Sequence, residues 1–126
     1  MEISEHITLN RQLAESVCQR LGQEINKLGF DAAEIKNYPV YDEASFVLIK
    51  DPYTGEYNLT GYWYDAINKQ RIGRLQFNSD GTGTFYAEYD VVKTHPAKPK
   101  WFVEGVTAWG KADNIKAEAK LLPIPA

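Results

Sequence analysis

The sequence predicts an α+β fold in which one N-terminal amphipathic helix packs on a curved antiparallel meander of five or six strands. All sixteen aromatic residues lie at Phe30 or beyond. The segment before Phe30 instead carries aliphatic residues at helical spacing. After Phe30, turns rich in glycine and proline separate short apolar runs. We therefore expect a single domain over 1–126, with the helix in 1–29 and the sheet in 30–126.

The predicted helix has one apolar face. Steps of four and then three residues connect Leu9, Leu13, Val17, Leu21, Ile25 and Leu28, with Ala14 and Cys18 beside them. This spacing is typical of a helix that buries one side against another element. Thr8 is the expected N-cap, with Ser4 as an alternative one turn earlier. Gly29 is expected to end the helix in the left-handed conformation.

A turn at 51–55 predicts the first hairpin, between strands at about 45–50 and 57–64. Its proline suits the second position of a turn, and Gly55 suits a residue with positive φ. This loop places Leu48 opposite Leu59 and Phe46 over Gly61. Apolar side chains then share one face, as a sheet with one buried side requires.

A second hairpin is predicted at 78–82, where the residue types suit a three-residue loop with Gly81 in a bulge. This loop would pair Asn78 with Thr82, Phe77 with Gly83, Leu75 with Phe85 and Arg74 with Tyr86. An aromatic ring would then cover Gly83, as Phe46 covers Gly61, and support a glycine within a strand.

Two further strands are expected at 101–109 and 115–122, separated from the preceding strand by an exposed, proline-containing loop at 93–100. A segment at 34–41 is a candidate edge strand, because Pro39 would not fit inside a sheet. The layout is similar to cystatin-like and NTF2-like folds, which also place a helix against a curved sheet. The similarity rests on layout alone, and folds of this kind carry unrelated functions.

Composition restricts the class of protein. A net charge of −3 argues against nonspecific attraction to nucleic-acid phosphates. The single cysteine, Cys18, forms no internal disulfide and favours a reducing, cytoplasmic setting. The N-terminus has no basic flank before an apolar run, so we expect no targeting peptide. No apolar stretch approaches the roughly 20 residues of a membrane-spanning helix, so we expect no membrane association.

Few residues suit catalysis or metal binding. His6 is expected in a frayed terminus and His95 in a solvated loop, while Cys18 lies beside the buried stripe of the helix, so no nucleophile and base come together. The same three residues make no zinc set, and we expect no metal and no cofactor. Glu88 and Asp90 share a strand face about 7 Å apart, which we interpret as a solvated surface. These residues favour a noncatalytic protein.

Strand alternation leaves a second set of side chains on the face opposite the helix. The helix side takes Phe46, Leu48, Leu59, Trp63, Leu75, Phe77, Phe85 and Tyr89, and the other side takes Val47, Ile49, Thr60, Tyr62, Tyr64, Arg74, Tyr86 and Glu88. Tyrosine beside arginine is typical of interaction surfaces, because tyrosine buries a large area at little cost in side-chain entropy. We therefore expect an adaptor, inhibitor or regulatory subunit. It would bind a protein partner or a second copy of itself through this face, or through a sheet edge.

Two other functions stay open. The first is a ligand-binding or enzymatic NTF2-like cone, which requires a cavity between helix and sheet lined by the aromatic residues Trp63, Tyr89, Trp101 and Trp109. The second is binding of single-stranded nucleic acid, with exposed rings stacking on bases and Lys93, Lys98 and Lys100 contacting phosphates. The charge balance disfavours that second function. In the same loop His95 is a candidate general base.

Overall fold

The computed structural model describes residues 3–30, 45–65, 69–78 and 82–125. The elements follow in the order α1 (Ile3–Lys27), β1 (Val47–Lys50), β2 (Tyr57–Tyr64), β3 (Arg71–Phe77), β4 (Phe85–Thr94), β5 (Trp101–Lys111) and β6 (Asn114–Pro123). The strands form one antiparallel sheet in chain order, with β1 and β6 at its two edges. The predicted helix on an antiparallel meander is confirmed. The candidate edge strand at 34–41 lies outside the described residues.

The helix begins earlier than the sequence suggested. Thr8 lies inside α1, where its Oγ1 donates a hydrogen bond of 2.8 Å to the carbonyl of Ser4. The prediction that Thr8 or Ser4 is the N-cap is therefore wrong. At the other end Gly29 has a φ of 97°, and its N–H donates to the Asn26 carbonyl at 3.0 Å. The predicted glycine stop is confirmed.

The buried face of α1 differs from the predicted stripe at its start. Ala14, Val17, Cys18, Leu21 and Ile25 are buried, but Leu9 is 70% exposed. Each step of four residues advances about 40° around the helix axis, because a residue turns about 100°. Three such steps separate Leu9 from Leu21, which places Leu9 about 120° away from the centre of the buried face.

The first hairpin has the predicted register. Leu48 pairs with Leu59, and the Asp51 N–H donates to the Glu56 carbonyl at 2.7 Å. Gly55 has the expected positive φ of 76°. Phe46 packs over Gly61 so closely that a Cβ added to the glycine would lie 2.6 Å from the ring. The prediction of a ring covering this glycine is confirmed.

The second hairpin is displaced by two residues from the prediction. The observed pairs are Phe77 with Phe85, Leu75 with Ala87 and Arg74 with Glu88. The loop is longer than predicted because two hydrogen bonds join Asn78 to Thr84. The Asn78 N–H donates to the Thr84 carbonyl at 3.0 Å, and Asn78 Nδ2 donates to Thr84 Oγ1 at 2.8 Å.

Gly83 accordingly lies outside the strands with a φ of 73°, and a Cβ added to it would meet no atom of the other described residues within 4 Å, its chain neighbours apart. The prediction of a ring over Gly83 is wrong, and the predicted bulge at Gly81 lies outside the described residues. A shift of two residues keeps every side chain on its predicted face, because strand side chains alternate with a period of two.

The inner face of the sheet, which faces α1, carries the predicted core. Leu59, Leu75, Phe77, Phe85 and Tyr89 are all buried there, and Phe46, Leu48 and Trp63 pack against them. One predicted outer-face residue, Thr60, is also buried, at 2% exposure. Among the described residues no helix is both long and apolar enough to span a bilayer.

The sheet is irregular where β4 ends. The pairing of β4 with β5 shifts between Asp90 and Lys93, and Val92 has a positive φ of 54°. Glycines face β4 from both sides at this level. A Cβ at Gly73 or at Gly105 would lie 2.5 Å from a carbonyl oxygen of β4. Only glycine permits so close an approach of the neighbouring strands.

Candidate functional site

The outer face of the sheet brings together the five residues that the sequence singled out. Tyr62, Arg74 and Glu88 lie side by side in one row across β2, β3 and β4. Tyr64 and Tyr86 lie two residues along β2 and β4 from members of this row. Together with Arg71 they form the tyrosine face: Tyr62, Tyr64, Arg71, Arg74, Tyr86 and Glu88.

Arg71 joins this face through an irregularity that the sequence does not reveal. The register between β2 and β3 shifts after Trp63, so Tyr64 pairs with Arg71. The Arg71 guanidinium carbon lies 3.9 Å from the centre of the Tyr62 ring. On the same strand, the rings of Tyr62 and Tyr64 have centroids 6.4 Å apart and are tilted by 53°. A cation–π contact and an aromatic pair therefore hold Tyr62 in place.

Arg74 makes a second cluster beside the first. Its Nε lies 3.1 Å from Glu88 Oε1, and its guanidinium carbon lies 5.9 Å from the centre of the Tyr86 ring. The two charged side chains are 43% and 39% exposed. An ion pair this exposed adds little stability. Its structural effect is to hold the guanidinium beside the tyrosine ring while part of the side chain stays exposed.

The four aromatic residues of the alternative pocket do not converge. Trp109 pairs with Tyr86 of the tyrosine face, and Trp101 is 40% exposed at the start of β5, opposite Pro123. Only Trp63 and Tyr89 are in contact, with ring centroids 5.6 Å apart in an edge-to-face arrangement. Of the predicted aromatic pocket, these two residues are therefore the pair that the fold brings together.

Tyr89 is the most unusual residue of the inner face. Its side chain is 2% exposed, and its hydroxyl is buried with no hydrogen-bond partner in the part of the chain that the structure describes. Burial raises the pKa of this hydroxyl, and the negative charges of Asp65 and Asp90 raise it further. Tyr89 is therefore a neutral donor that has no acceptor among the described residues.

The carboxylate pair that the sequence identified lies in a small cleft on the outer face. Glu88 and Asp90 line it together with Glu104, Lys120 and the buried Thr107, around a volume of about 60 Å³. Partial burial raises the pKa of Asp90, the charges of Glu88 and Glu104 add to the rise, and Lys120 opposes it. A volume of this size holds a few waters.

Within residues 3–30, 45–65, 69–78 and 82–125, no three His, Cys, Asp or Glu side chains cluster in a way that could hold a metal ion. The positive charge of Lys120 beside the acidic cleft also opposes the binding of a cation. The cleft therefore has the character of a charged surface depression next to the tyrosine face.

The loop between β4 and β5 is built around His95, which corrects the expectation of a solvated histidine. His95 is only 6% exposed, and its Nδ1 accepts hydrogen bonds from the N–H groups of Ala97 and Lys98 at 3.0 and 3.1 Å. Lys98 and Lys100 are exposed on the same loop. Two backbone donors occupy Nδ1, so the imidazole orders the loop.

Cys18 is buried in α1, as the sequence indicated. Burial raises the pKa of its thiol to about 12, the charge of Glu15 adds to the rise, and a backbone hydrogen bond opposes it. Because the thiolate is the reactive form, burial keeps this cysteine in its less reactive thiol form in the folded protein.

No protein family matches the sequence, and no curated protein or solved structure is significantly similar to the chain.

Proposed function

We propose that this protein is a noncatalytic interaction module that binds a protein partner through the tyrosine face. The observation that carries the proposal is the contact of Arg71 with Tyr62 at 3.9 Å and of Arg74 with Glu88 at 3.1 Å. These contacts hold half-exposed aromatic and arginine side chains in fixed positions on the outer face. Tyrosine and arginine are among the residue types that contribute most to binding at protein interfaces.

Fixed side chains lower the cost of association. Ordering a flexible side chain at an interface costs roughly 0.5–1.5 kcal/mol, and contacts already made in the free protein remove part of that cost. Tyr62 has contacts with both Arg71 and Tyr64 before any partner arrives. Its ring remains only half buried, so a partner can still remove apolar surface from water.

Charge distribution favours protein over nucleic acid as the partner. Arg71 and Arg74 share the outer face with Glu88 and Asp90, and the acidic cleft continues to Glu104. A nucleic-acid phosphate at this face would be attracted by the arginines and repelled by the neighbouring carboxylates. The net charge of −3 adds no long-range attraction. A protein surface can match both signs with its own carboxylates and amines.

The test compares partner capture by immobilised wild-type protein with capture by Tyr62→Ala and Arg74→Ala. Tyr57→Ala is the matched control, because Tyr57 is 51% exposed at the start of the same strand and lies outside the tyrosine face. We expect both face variants to lose bound protein while the control keeps it, with thermal unfolding unchanged in all three. Equal capture by all four proteins would show that the face is merely solvated.

A small-molecule site at Trp63 and Tyr89 is a second candidate, favoured by the buried Tyr89 hydroxyl that has no partner among the described residues. A ligand acceptor would satisfy this donor, and the neighbouring indole of Trp63 would bound the site. Thermal shifts against a metabolite library test this function. We expect hits that stabilise the wild type and fail to stabilise Tyr89→Phe, and a library without hits would count against a pocket.

A further inference from the structure

The sixth strand forms the long edge of the sheet. β6 has ten residues, and within the described part of the chain it pairs with β5 alone. The opposite edge strand, β1, has only four residues. A sheet edge presents backbone N–H and carbonyl groups that can pair with another strand. Among the described strands, β6 is therefore the longer of the two edges to which another strand could add.

The charges on β6 alternate in sign. Lys116, Glu118 and Lys120 are exposed on the outer face, and four half-buried apolar residues alternate with them: Ile115, Ala117, Ala119 and Leu121. Charged side chains on an edge strand, lysine above all, commonly discourage pairing with another strand. On β6 their effect depends on the register, because a two-fold axis through Lys116, Glu118 or Lys120 places that charged residue opposite its own copy. An axis through a neighbouring alanine places lysine opposite glutamate.

We propose that β6 pairs with β6 of a second copy of this chain, antiparallel and with the two-fold axis at Ala119. Glu118 of each copy then lies opposite Lys120 of the other. On the inner face Ala117 lies opposite Leu121, and Ile115 lies opposite Pro123. Every inner position is therefore apolar on both sides of the seam, and the two sheets become one of twelve strands.

The alternative axis at Ala117 fits less well. It also places opposite charges together, Lys116 against Glu118, but it brings Leu121 opposite Asp113. Asp113 belongs to the turn between β5 and β6 rather than to the strand. A carboxylate would then face an apolar side chain, and a turn would interrupt the ladder. In the Ala119 register residues 115–123 lie opposite one another within the strand itself, with Pro123 donating no N–H to the ladder.

This dimer would present both tyrosine faces on the same side. Antiparallel pairing along an edge, with the axis perpendicular to the sheet, keeps inner face beside inner face. β3 lies three strands from β6, so seven strand spacings of about 4.8 Å would place the two Arg74 residues roughly 34 Å apart. The contact between the two β6 strands is separate from the tyrosine face. Whether the dimer forms is therefore independent of whether the tyrosine face binds a partner.

Sedimentation velocity over a range of concentrations tests the proposal. We expect a weak, concentration-dependent dimer, since a single strand pair buries little surface. Glu118→Lys and Lys120→Glu each replace two attractive cross-strand pairs by two repulsive ones. Each should raise the dimer dissociation constant about tenfold or more, and the double variant should restore it to within about threefold of wild type.

Two controls fix the register. Lys116→Glu should leave the dimer dissociation constant within about threefold of the wild-type value. The reason is that Lys116 faces the uncharged Leu122 of the second copy in the Ala119 register. In a Cys18→Ala background, Ala119→Cys should form a disulfide-linked dimer on oxidation, since opposite Cα atoms lie about 4.5–5.5 Å apart. Ala117→Cys should not, because its own copies would be about 13 Å apart along the strand.

Several outcomes would overturn the proposal. A wild-type chain that remains monomeric up to its solubility limit would do so directly. A dimer that Glu118→Lys and Lys120→Glu leave intact, or that the double variant fails to restore, would place the contact elsewhere. By contrast, Tyr62→Ala should leave the dimer intact, because the β6 contact and the tyrosine face are independent surfaces. This result is expected whether or not the substitution weakens partner capture.

Discussion

Replacing Tyr89 by phenylalanine should stabilise this protein. The Tyr89 side chain is 2% exposed and its hydroxyl has no partner among the described residues, so folding removes that hydroxyl from water without a replacement hydrogen bond. Phenylalanine keeps the ring and its edge-to-face contact with Trp63 at 5.6 Å. The substitution therefore removes a cost of folding and leaves the packing in place.

The expected gain is about 1 kcal/mol. An unsatisfied buried hydroxyl costs about 1–3 kcal/mol. The small void left by one oxygen loses a few dispersion contacts of roughly 0.1–0.2 kcal/mol each, which offsets part of the gain. A change of about 1 kcal/mol corresponds to a rise of about 3–5 °C in melting temperature for a domain of this size.

Urea unfolding measures this difference, with Tyr57→Phe as the control for an exposed hydroxyl. The control should change the free energy of unfolding by less than about 0.5 kcal/mol. Burial raises the Tyr89 pKa above its ordinary value of 10.0, so the unfolded state loses this proton first. Wild-type stability should therefore fall as pH rises above about 10, and the advantage of Tyr89→Phe should widen. A loss of 1 kcal/mol or more in Tyr89→Phe would refute the reasoning, since it would mean that the hydroxyl has a partner.

Four further predictions concern other buried or constrained groups. His95→Ala should cost about 1 kcal/mol by removing an acceptor of two backbone N–H groups, and His95→Asn should recover part of it, both measured by urea unfolding. Cys18, whose thiol pKa is raised to about 12, should react with a thiol reagent at pH 8 only after unfolding; rapid reaction of the native protein would contradict its burial. Asp90→Asn should stabilise the protein at pH 7 by less than about 0.5 kcal/mol, because burial and neighbouring charges raise the Asp90 pKa. That advantage should vanish below the ordinary value of 3.8, and a constant difference across pH would exclude a charge effect. Gly61→Ala should cost about 1–3 kcal/mol through its clash with Phe46, and Phe46→Leu in the same chain should reduce that cost.

The order of elements and the division into two faces could be predicted from the sequence because both depend on local periodicity. The predicted pairs of the second hairpin were displaced by two residues, but each side chain was still assigned to the correct face. A shift by an even number of residues does not change the face, because strand side chains alternate with a period of two. The same local logic failed for Leu9. Steps of four look regular along the chain, but each advances about 40° around the helix, so the stripe drifts out of the contact with the sheet.

The remaining differences depend on tertiary structure. Arg71 reaches Tyr62 because the register shifts after Trp63, and no pattern in the sequence marks that shift. His95 precedes a proline, which correctly indicated a loop. Its burial follows from the way the imidazole accepts two N–H groups of that loop, which residue types alone do not specify.

Footprinting of tyrosine side chains in a complex with a captured partner tests the central proposal most directly. Tyr53, Tyr57 and Tyr64 are 94%, 51% and 50% exposed in the free protein, so each is open to chemical modification. If the partner binds the tyrosine face, Tyr64 should lose most of its reactivity in the complex, together with the half-buried Tyr62. Tyr53 and Tyr57 should keep theirs. Protection of Tyr53 and Tyr57 with unchanged reactivity at Tyr62 and Tyr64 would contradict the assignment of this face as the binding surface.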